Sequence, residues 1–427
     1  MSRLVHSAPV PIRIDTPQPQ MVEVDDLIDR RFLKPQYQPI FDLSSGEQVG
    51  AEALARWPEL GITPEVAFYR GALTGRLNEL DEACRNAAID DAVAHGLPPR
   101  FELFVNLEPS VLAADTATRL LEKAAGRFGL VVEITERALT TLPARLLRAV
   151  HELREAGCGI ALDDVGAEPD SLALLPFVAP DVIKLDISLV QRWPNVEQAA
   201  IYTTVAAYAE RTGATVLAEG IENEAQLERA LALGATLGQG WYLGWPGPLG
   251  TIAAPSKEFG PHQPIDITPS SPFSYVDGHM ARIGPKGLLQ GISQHLEHQG
   301  LALETPPVVL GAVQDVRYFT ERTAQRYSAL AVACPIVAAF GVGIGPDPIA
   351  GVRGVPLSLD DPLRNEWVVA IVGAHYAGAL IGRDLGDTGP DQERRFAFVL
   401  THDLDTVLAA ARSLLGRVAY PSGFPVS

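Results

Sequence analysis

Between residues 31 and 250 this chain repeats one pair of patterns, and that repetition limits its possible folds more than any other feature. Short apolar runs rich in Val, Ile and Leu alternate with stretches of helical periodicity. The runs are FELFVNL (101–107), LVVEIT (130–135), CGIALDD (158–164), DVIKLDI (181–187) and ATVLAEGI (214–221). They lack strict apolar–polar alternation, as strands buried on both faces do. Between them, ARLLRAVHELREAG, EQAAIYTTVAAYAERTG and NEAQLERALALG read as helices stopped by Gly157, Gly213 and Gly234. Strand then helix, repeated over this length, predicts a parallel α/β fold, and a closed barrel fits it.

The runs end on polar residues: Asn106, Glu133, the pair Asp163–Asp164, Lys184 and Glu219, with Glu52 following QVGA upstream. In a parallel barrel, strand ends converge on one mouth. Acids crowded there need a counter-charge, and ligands that are all oxygen suit Mg²⁺ or Mn²⁺. Adjacent Asp163 and Asp164 could hold two ions, which would activate a water and clamp a phosphodiester. Lys184 could place the water or offset developing charge, and Glu219 could be a ligand or the general base. Each residue also has a plain alternative. Asn106 could be a turn residue, and Lys184 could pair with Asp181 or Asp186. The aspartate pair could cap a helix, and Glu219 could be a solvated loop acid. Recurrence at one structural place in consecutive units favours a site.

Composition narrows the partners. Lys and Arg number 34 against 52 Asp and Glu, a net charge of −18. Such a surface excludes duplex nucleic acid and polybasic membrane binding. A small phosphodiester is not excluded, because the five site acids and Lys184 carry four net negative charges that two divalent ions would cancel. Cys84, Cys158 and Cys334 show no CxxC spacing, so a disulfide framework and a zinc ribbon are not expected. MSRLVHSAPVPIRIDTPQPQ has no apolar core run, and a cytoplasmic location is expected. The uncharged stretch from Tyr327 to Pro346 carries Pro335, Gly341, Gly343 and Gly345, and reads as a buried strand with a turn rather than a membrane span.

The expected organisation is a flexible tail over 1–30, a barrel over 31–250, a Pro-, Gly- and Ser-rich linker over 251–274, and a smaller mixed α/β domain over 275–427. In the last, residues 306–315, 335–343, 366–373 and 396–403 read as strands and 404–418 as a helix. His375 and the aromatics of 315–331 read as structural.

GAEALARW (50–57) resembles the signature of EAL-type phosphodiesterases that hydrolyse cyclic di-GMP. YQPI (37–40), VNL (105–107), EITE (133–136), DDVG (163–166), IKLD (183–186), AEGIE (218–222) and GQG (238–240) follow in family order. The resemblance implies a modified (β/α)₈ barrel and a linear pGpG product. It implies that Glu52, Asn106, Glu133 and Asp163 hold one ion, and that Asp163, Asp164 and Glu219 hold the second. Glu219 would assist the water near Lys184. Gln38 and Arg56 would contact substrate, Gln239 would complete the site, and Glu136 would brace the loop after the aspartate pair. A homodimer is the family habit. Departures fall in that loop, where GAEPDSL (166–172) has lost a glycine and gained Pro169, which stiffens the backbone. Val165 and Trp245 also replace the usual residues, but every matched metal ligand is present.

In the second region LLQGISQHLEHQ (288–299), RYFTERTAQRYSALA and EWVVAIVGAHYAGALIGRDLGD (366–387) resemble the DICT sensory domain. That implies a signal-input module with an unnamed ligand or partner. The expected function is a cyclic di-GMP phosphodiesterase regulated by this module. The rivals are a non-catalytic cyclic di-GMP receptor and a signalling scaffold.

Overall fold

The computed structural model describes residues 22–108, 124, 126–135, 140–167, 169–256, 271–276, 281–303 and 305–418. The expected tail before residue 22, most of the linker and Glu136 lie outside the described residues. Eight strands close a barrel in chain order: β1 (Lys34–Asp42), β2 (Gln48–Arg56), β3 (Glu102–Asn106), β4 (Gly129–Thr135), β5 (Gly159–Val165), β6 (Val182–Leu185), β7 (Thr215–Ala218) and β8 (Leu237–Gly238). From β2 to β8 all neighbours are parallel. The first strand departs from the all-parallel expectation and runs antiparallel to both β2 and β8. The reason is local. Asp42 Oδ1 accepts from the Ser44 and Ser45 amides at 2.9 and 2.8 Å, and Gly46 has φ +72°. This tight turn joins β1 to β2, and a turn that short can only connect antiparallel strands.

The helices described around the barrel include the three that periodicity predicts, over 143–155, 196–212 and 224–232. In chain order the described helices are α1 (Val24–Ile28), α2 (Pro64–Leu73), α3 (Leu77–His95), α4 (Pro143–Glu155), α5 (Leu175–Val178), α6 (Ile187–Gln191), α7 (Val196–Thr212) and α8 (Glu224–Ala232). Gly213 ends α7 in the left-handed conformation, at φ +77°. Asn195 and Asn223 cap α7 and α8, accepting from the Gln198 and Gln226 amides. The short α1 is pinned to the barrel, with Leu27 fully buried and its carbonyl accepting from Trp57 Nε1 at 2.7 Å.

The second unit is a seven-stranded mixed sheet. Its strands are β9 (Arg282–Pro285), β10 (Val308–Asp315), β11 (Ile336–Val342), β12 (Arg353–Pro356), β13 (Glu366–Val372), β14 (Ala377–Asp384) and β15 (Arg395–Thr401), in the order β12-β11-β10-β13-β14-β15-β9. On one face lie α9 (Lys286–Ala302) and α10 (Glu321–Ala333), whose Leu289, Leu296, Tyr327 and Leu330 pack on Val309, Val369 and Ile371. On the other lies α11 (Leu404–Leu415), packed with Val308, Leu310, Val368 and Ala370 in a core continuous with that of the barrel helices. Arg412 Nη2 donates to the Pro176 carbonyl at 2.6 Å, and His375 Nε2 lies 2.9 Å from Thr204 Oγ1. His375 thus links the end of β13 to α7. The stretch from Tyr327 is the end of α10 followed by β11, and among the described residues no helix is long and apolar enough to cross a membrane.

Candidate active site

Strand alternation builds the site. Ile40, Val49, Phe104, Val131, Ala161, Val182, Leu217 and Leu237, one per strand, form an apolar plug inside the barrel. Two residues on, a strand points the same way again. Two residues past six of these plug positions stand Asn106, Glu133, Asp163, Lys184, Glu219 and Gln239. The reversed β1 reaches the same mouth two residues before its plug residue, at Gln38. In β2 the spacing is three, from Val49 to Glu52, because a bulge leaves Val49 between the pairs Ile40–Gly50 and Phe41–Gln48.

At the centre stands Lys184, 1% exposed. Its Nζ lies 2.7 Å from Glu133 Oε1, 2.8 Å from Asp163 Oδ1 and 2.9 Å from Glu219 Oε1. These three are close ion-pair contacts, and Glu52 Oε2 at 3.7 Å adds a fourth charge. The alternative partners are engaged elsewhere. Asp181 pairs with Arg154 at 3.1 Å, and Asp186 caps α6 by accepting from the Ser188 amide at 2.9 Å. Gln239 Nε2 donates to Glu52 Oε2 at 2.5 Å and to Gln38 Oε1 at 3.0 Å. Asn106 Nδ2 donates to Glu52 Oε1 at 3.3 Å, so Asn106 is a member of the cluster and not a turn residue.

Asp163 and Asp164 cap no helix; they finish β5, and Asp164 takes φ +55°. One oxygen each of Asp163, Asp164 and Glu219 lie within 4.8 Å of one another. Gly166 follows at φ +102°, where a Cβ would stand 2.5 Å from Leu189 Cδ1. The altered loop continues as a 3₁₀ turn over Pro169–Leu174, and Glu168 lies outside the described residues.

Burial pushes the Glu219 carboxyl up to about 8 despite the opposing Lys184. Burial, then the Glu52 charge, raises Glu133 well above the carboxylate range. Burial and neighbouring Asp163 also raise Asp164. For Lys184 burial works the other way, but the charges of Asp163, Glu133, Glu219 and Glu52 win and hold the ammonium well above its usual value.

The donor set fits hard divalent cations. Buried Glu133 Oε2 and Gln239 Oε1 meet no donor among the described residues, and a cation would satisfy such oxygens. Every candidate ligand offers oxygen. Beside the cluster, a cleft of about 280 Å³ is lined by Arg56, Asn106 and Glu108, with the buried ion pair Asp81–Arg85 in its wall. Arg56 Nη1 donates to its neighbour's carbonyl, Ala55 O, at 2.9 Å. Sequence reasoning missed Asp81 and Arg85. Their signal was an acid and a base four apart on α3. It also treated Trp245 only as a departure. Here Trp245 stacks on Trp241 with centroids 4.5 Å apart, an exposed aromatic face just after Gln239.

The EAL domain family model matches residues 21–246, more than half of the chain. The chain belongs to the EAL family. A second model, the sensory domain in diguanylate cyclases and two-component systems (DICT), matches residues 281–385. The EAL chain is 32% identical over 243 residues to the cyclic di-GMP phosphodiesterase RocR of Pseudomonas aeruginosa, covering 54% of this chain and 61% of RocR. It is 30% identical over 239 residues to the probable cyclic di-GMP phosphodiesterase PdeB of Escherichia coli, covering 54% of this chain and 45% of PdeB. Both matches therefore span less than two thirds of the relative's own length. Among solved structures, the PaMucR phosphodiesterase–c-di-GMP complex aligns with a TM-score of 0.47 and 28% identity, covering 53% of this EAL chain and 96% of that one.

Proposed function

We propose that this EAL protein is a divalent-metal-dependent phosphodiesterase that opens cyclic di-GMP to linear pGpG, and that its C-terminal DICT unit regulates it. The observation that carries the reading is the meeting of Asp163, Asp164 and Glu219 oxygens at one point beside Glu52, Glu133 and Lys184. Glu52, Asn106, Glu133 and Asp163 would hold one Mg²⁺ or Mn²⁺, and Asp163, Asp164 and Glu219 a second. When bound, such ions polarise a phosphoryl oxygen and acidify water. The protein supplies the rest. Glu219, which would lose its own proton when cations bind, would accept the proton of the attacking water. Lys184 stays cationic and offsets charge developing on the phosphate. Gln239, through its 2.5 Å bond, fixes the orientation of Glu52. Arg56 at the cleft takes a substrate phosphate, to which a guanidinium can donate two parallel hydrogen bonds.

Regulation is supported by the packing of α11. It contacts α4 and α5, and α5 continues directly from the 3₁₀ turn that follows the aspartate pair. Movement of the DICT sheet would reach the Asp163–Asp164 loop through this short path.

The test is hydrolysis by the purified full chain with Mg²⁺ or Mn²⁺ against EDTA, with the product resolved by ion exchange. Metal-dependent pGpG release is expected. Glu219→Gln should abolish turnover while cyclic di-GMP binding persists. Tight binding by the parent protein with no product at any metal concentration would replace the enzyme with a receptor.

A further inference from the structure

A second cavity lies far from the barrel mouth in sequence. It is about 700 Å³ and sits between α9, α10 and the sheet of the DICT unit. That size suits a drug-sized organic molecule. We propose that it binds a planar aromatic small molecule carrying one acidic group.

Its floor is a face of the sheet made by Val313, Trp367 and Val369, with Tyr327 beside it. Trp367 and Val369 alternate normally on β13. On β10, by contrast, neighbours Val313 and Gln314 both line the cavity, which regular alternation forbids. A bulge makes this possible. The β10–β11 register slips between Ala312 and Asp315, and Gln314 takes φ +68°, a costly conformation for a residue with a side chain. The backbone thus accepts strain to aim an amide into the pocket. Opposite, α9 turns one helical face inward, with Lys286, Gln290, Ser293, Gln294 and Glu297 all on the cavity wall. Lys286, Ser293 and Glu297 are almost fully buried there. The buried three are paired with Asp391, with each other and with Arg326, whereas half-buried Gln290 and exposed Gln294 make no hydrogen bond among the described residues and are open to an occupant of the void.

The chemistry of the occupant follows from the lining. A flat apolar floor with an indole favours a flat aromatic body. The amides of Gln290 and Gln294 donate and accept along its edge, while Gln314 Nε2 donates to Asp384 and Ser293 Oγ to Glu297, each at 3.3 Å. The charges decide the sign. Lys286 is neutralised by Asp391 at 2.7 Å and Arg326 by Glu297 at 2.5 Å. Of the remaining lining charges, Glu321 stands against both Arg317 and Arg322. Arg317 has only Asp315 at 3.7 Å, and Arg322 has no acidic partner among the described residues. The lining residues alone carry one net positive charge, with Asp315 just outside them beside the exposed Arg317, and Arg322 is the cation left to meet an anion. The floor strands turn their other faces, through Ala312, Val368 and Ala370, into the core shared with α11.

The test uses two dyes with one ring system, anilinonaphthalene sulfonate and uncharged N-phenylnaphthylamine, titrated into the full chain at physiological salt. It reads fluorescence and needs no phosphodiesterase activity. Saturable binding of one equivalent of the sulfonate is expected. Arg317→Gln with Arg322→Gln should weaken the sulfonate about ten-fold, the loss of a charge-assisted contact, and leave the neutral dye unchanged. Trp367→Ala should weaken both dyes. Gln290→Trp, which fills the cavity from its half-buried wall, should block both without disturbing the Trp367–Phe396 contact. Non-saturating binding, or binding untouched by Gln290→Trp, overturns the pocket. Equal loss of both dyes in the arginine variant overturns the acidic group.

Discussion

Replacing Lys184 by Met tests the electrostatic logic of the site most directly. The change keeps the side chain's length and apolar stem but deletes the ammonium that three carboxylates share within 2.9 Å. Removing one partner from a buried ionic set costs about 3–5 kcal/mol. At about 2–4 °C per kcal/mol for a unit of this size, the metal-free melting temperature should fall by about 6–20 °C. The deficit should depend on pH. Without Lys184, Glu133 and Glu219 must hold protons that their unfolded forms release near pH 4.5. The native state then binds more protons than the unfolded state, so stability falls as pH rises. In the parent the same sign operates between about 4.5 and the Glu219 value of about 8. The deficit should therefore be nearly the same at pH 5 and pH 8 and widen above about 8, where the parent releases the Glu219 proton and the variant keeps it. Mn²⁺ should recover part of it, since saturation at 100 times the dissociation constant adds about 2.7 kcal/mol. Melting curves in EDTA and in Mn²⁺ on both sides of pH 8 provide the measurement. A variant that melts with the parent in EDTA at pH 8, or whose deficit does not widen above it, refutes the reasoning.

Four further outcomes are expected. Gly166→Ala forces a Cβ onto Leu189 at a left-handed residue and should cost about 1–3 kcal/mol; it should also weaken Mn²⁺ binding by calorimetry, and unchanged affinity would uncouple the loop from the metals. Asp81→Asn removes one acidic partner of the buried Arg85 and should destabilise by about 3–5 kcal/mol in urea titration; adding Arg85→Met should recover part of the loss, and no recovery would show that the pair does not act together. Leu414→Ala, fully buried in the shared core, should cost about 2–5 kcal/mol and alter metal-dependent turnover; stability loss with unaltered turnover counts against coupling through α11. Trp245→Ala should raise KM for cyclic di-GMP with kcat unchanged, since stacking on a base contributes about 1–3 kcal/mol; an unchanged KM leaves the tryptophan pair without a substrate role.

Much of the architecture was legible because it depends on local pattern. Apolar runs buried on both faces became β3 to β7, and glycines after periodic stretches became helix stops. The antiparallel β1 was not legible from strand–helix alternation, since its direction is set by a turn that closes on Asp42. The sheet of the DICT unit was half legible. Its strands β10, β11, β13 and β15 were read, the long β14 was missed, and β9 and β12, four residues each, are held by neighbours and not by their own pattern.

The sequence by itself determined which residue types stand at the barrel mouth, because strand periodicity carries each one two positions beyond an inward apolar residue. It could not determine which of them meet. Glu133, Asp163, Lys184 and Glu219 sit on four different strands, and only barrel closure brings their charges within hydrogen-bonding distance of one ammonium. The same holds for the second cavity. Its Gln314 looks like an ordinary strand residue until the sheet register slips and turns it inward. Periodicity is written within a segment, whereas register and closure are decided between segments, where the cost of burying charge first appears.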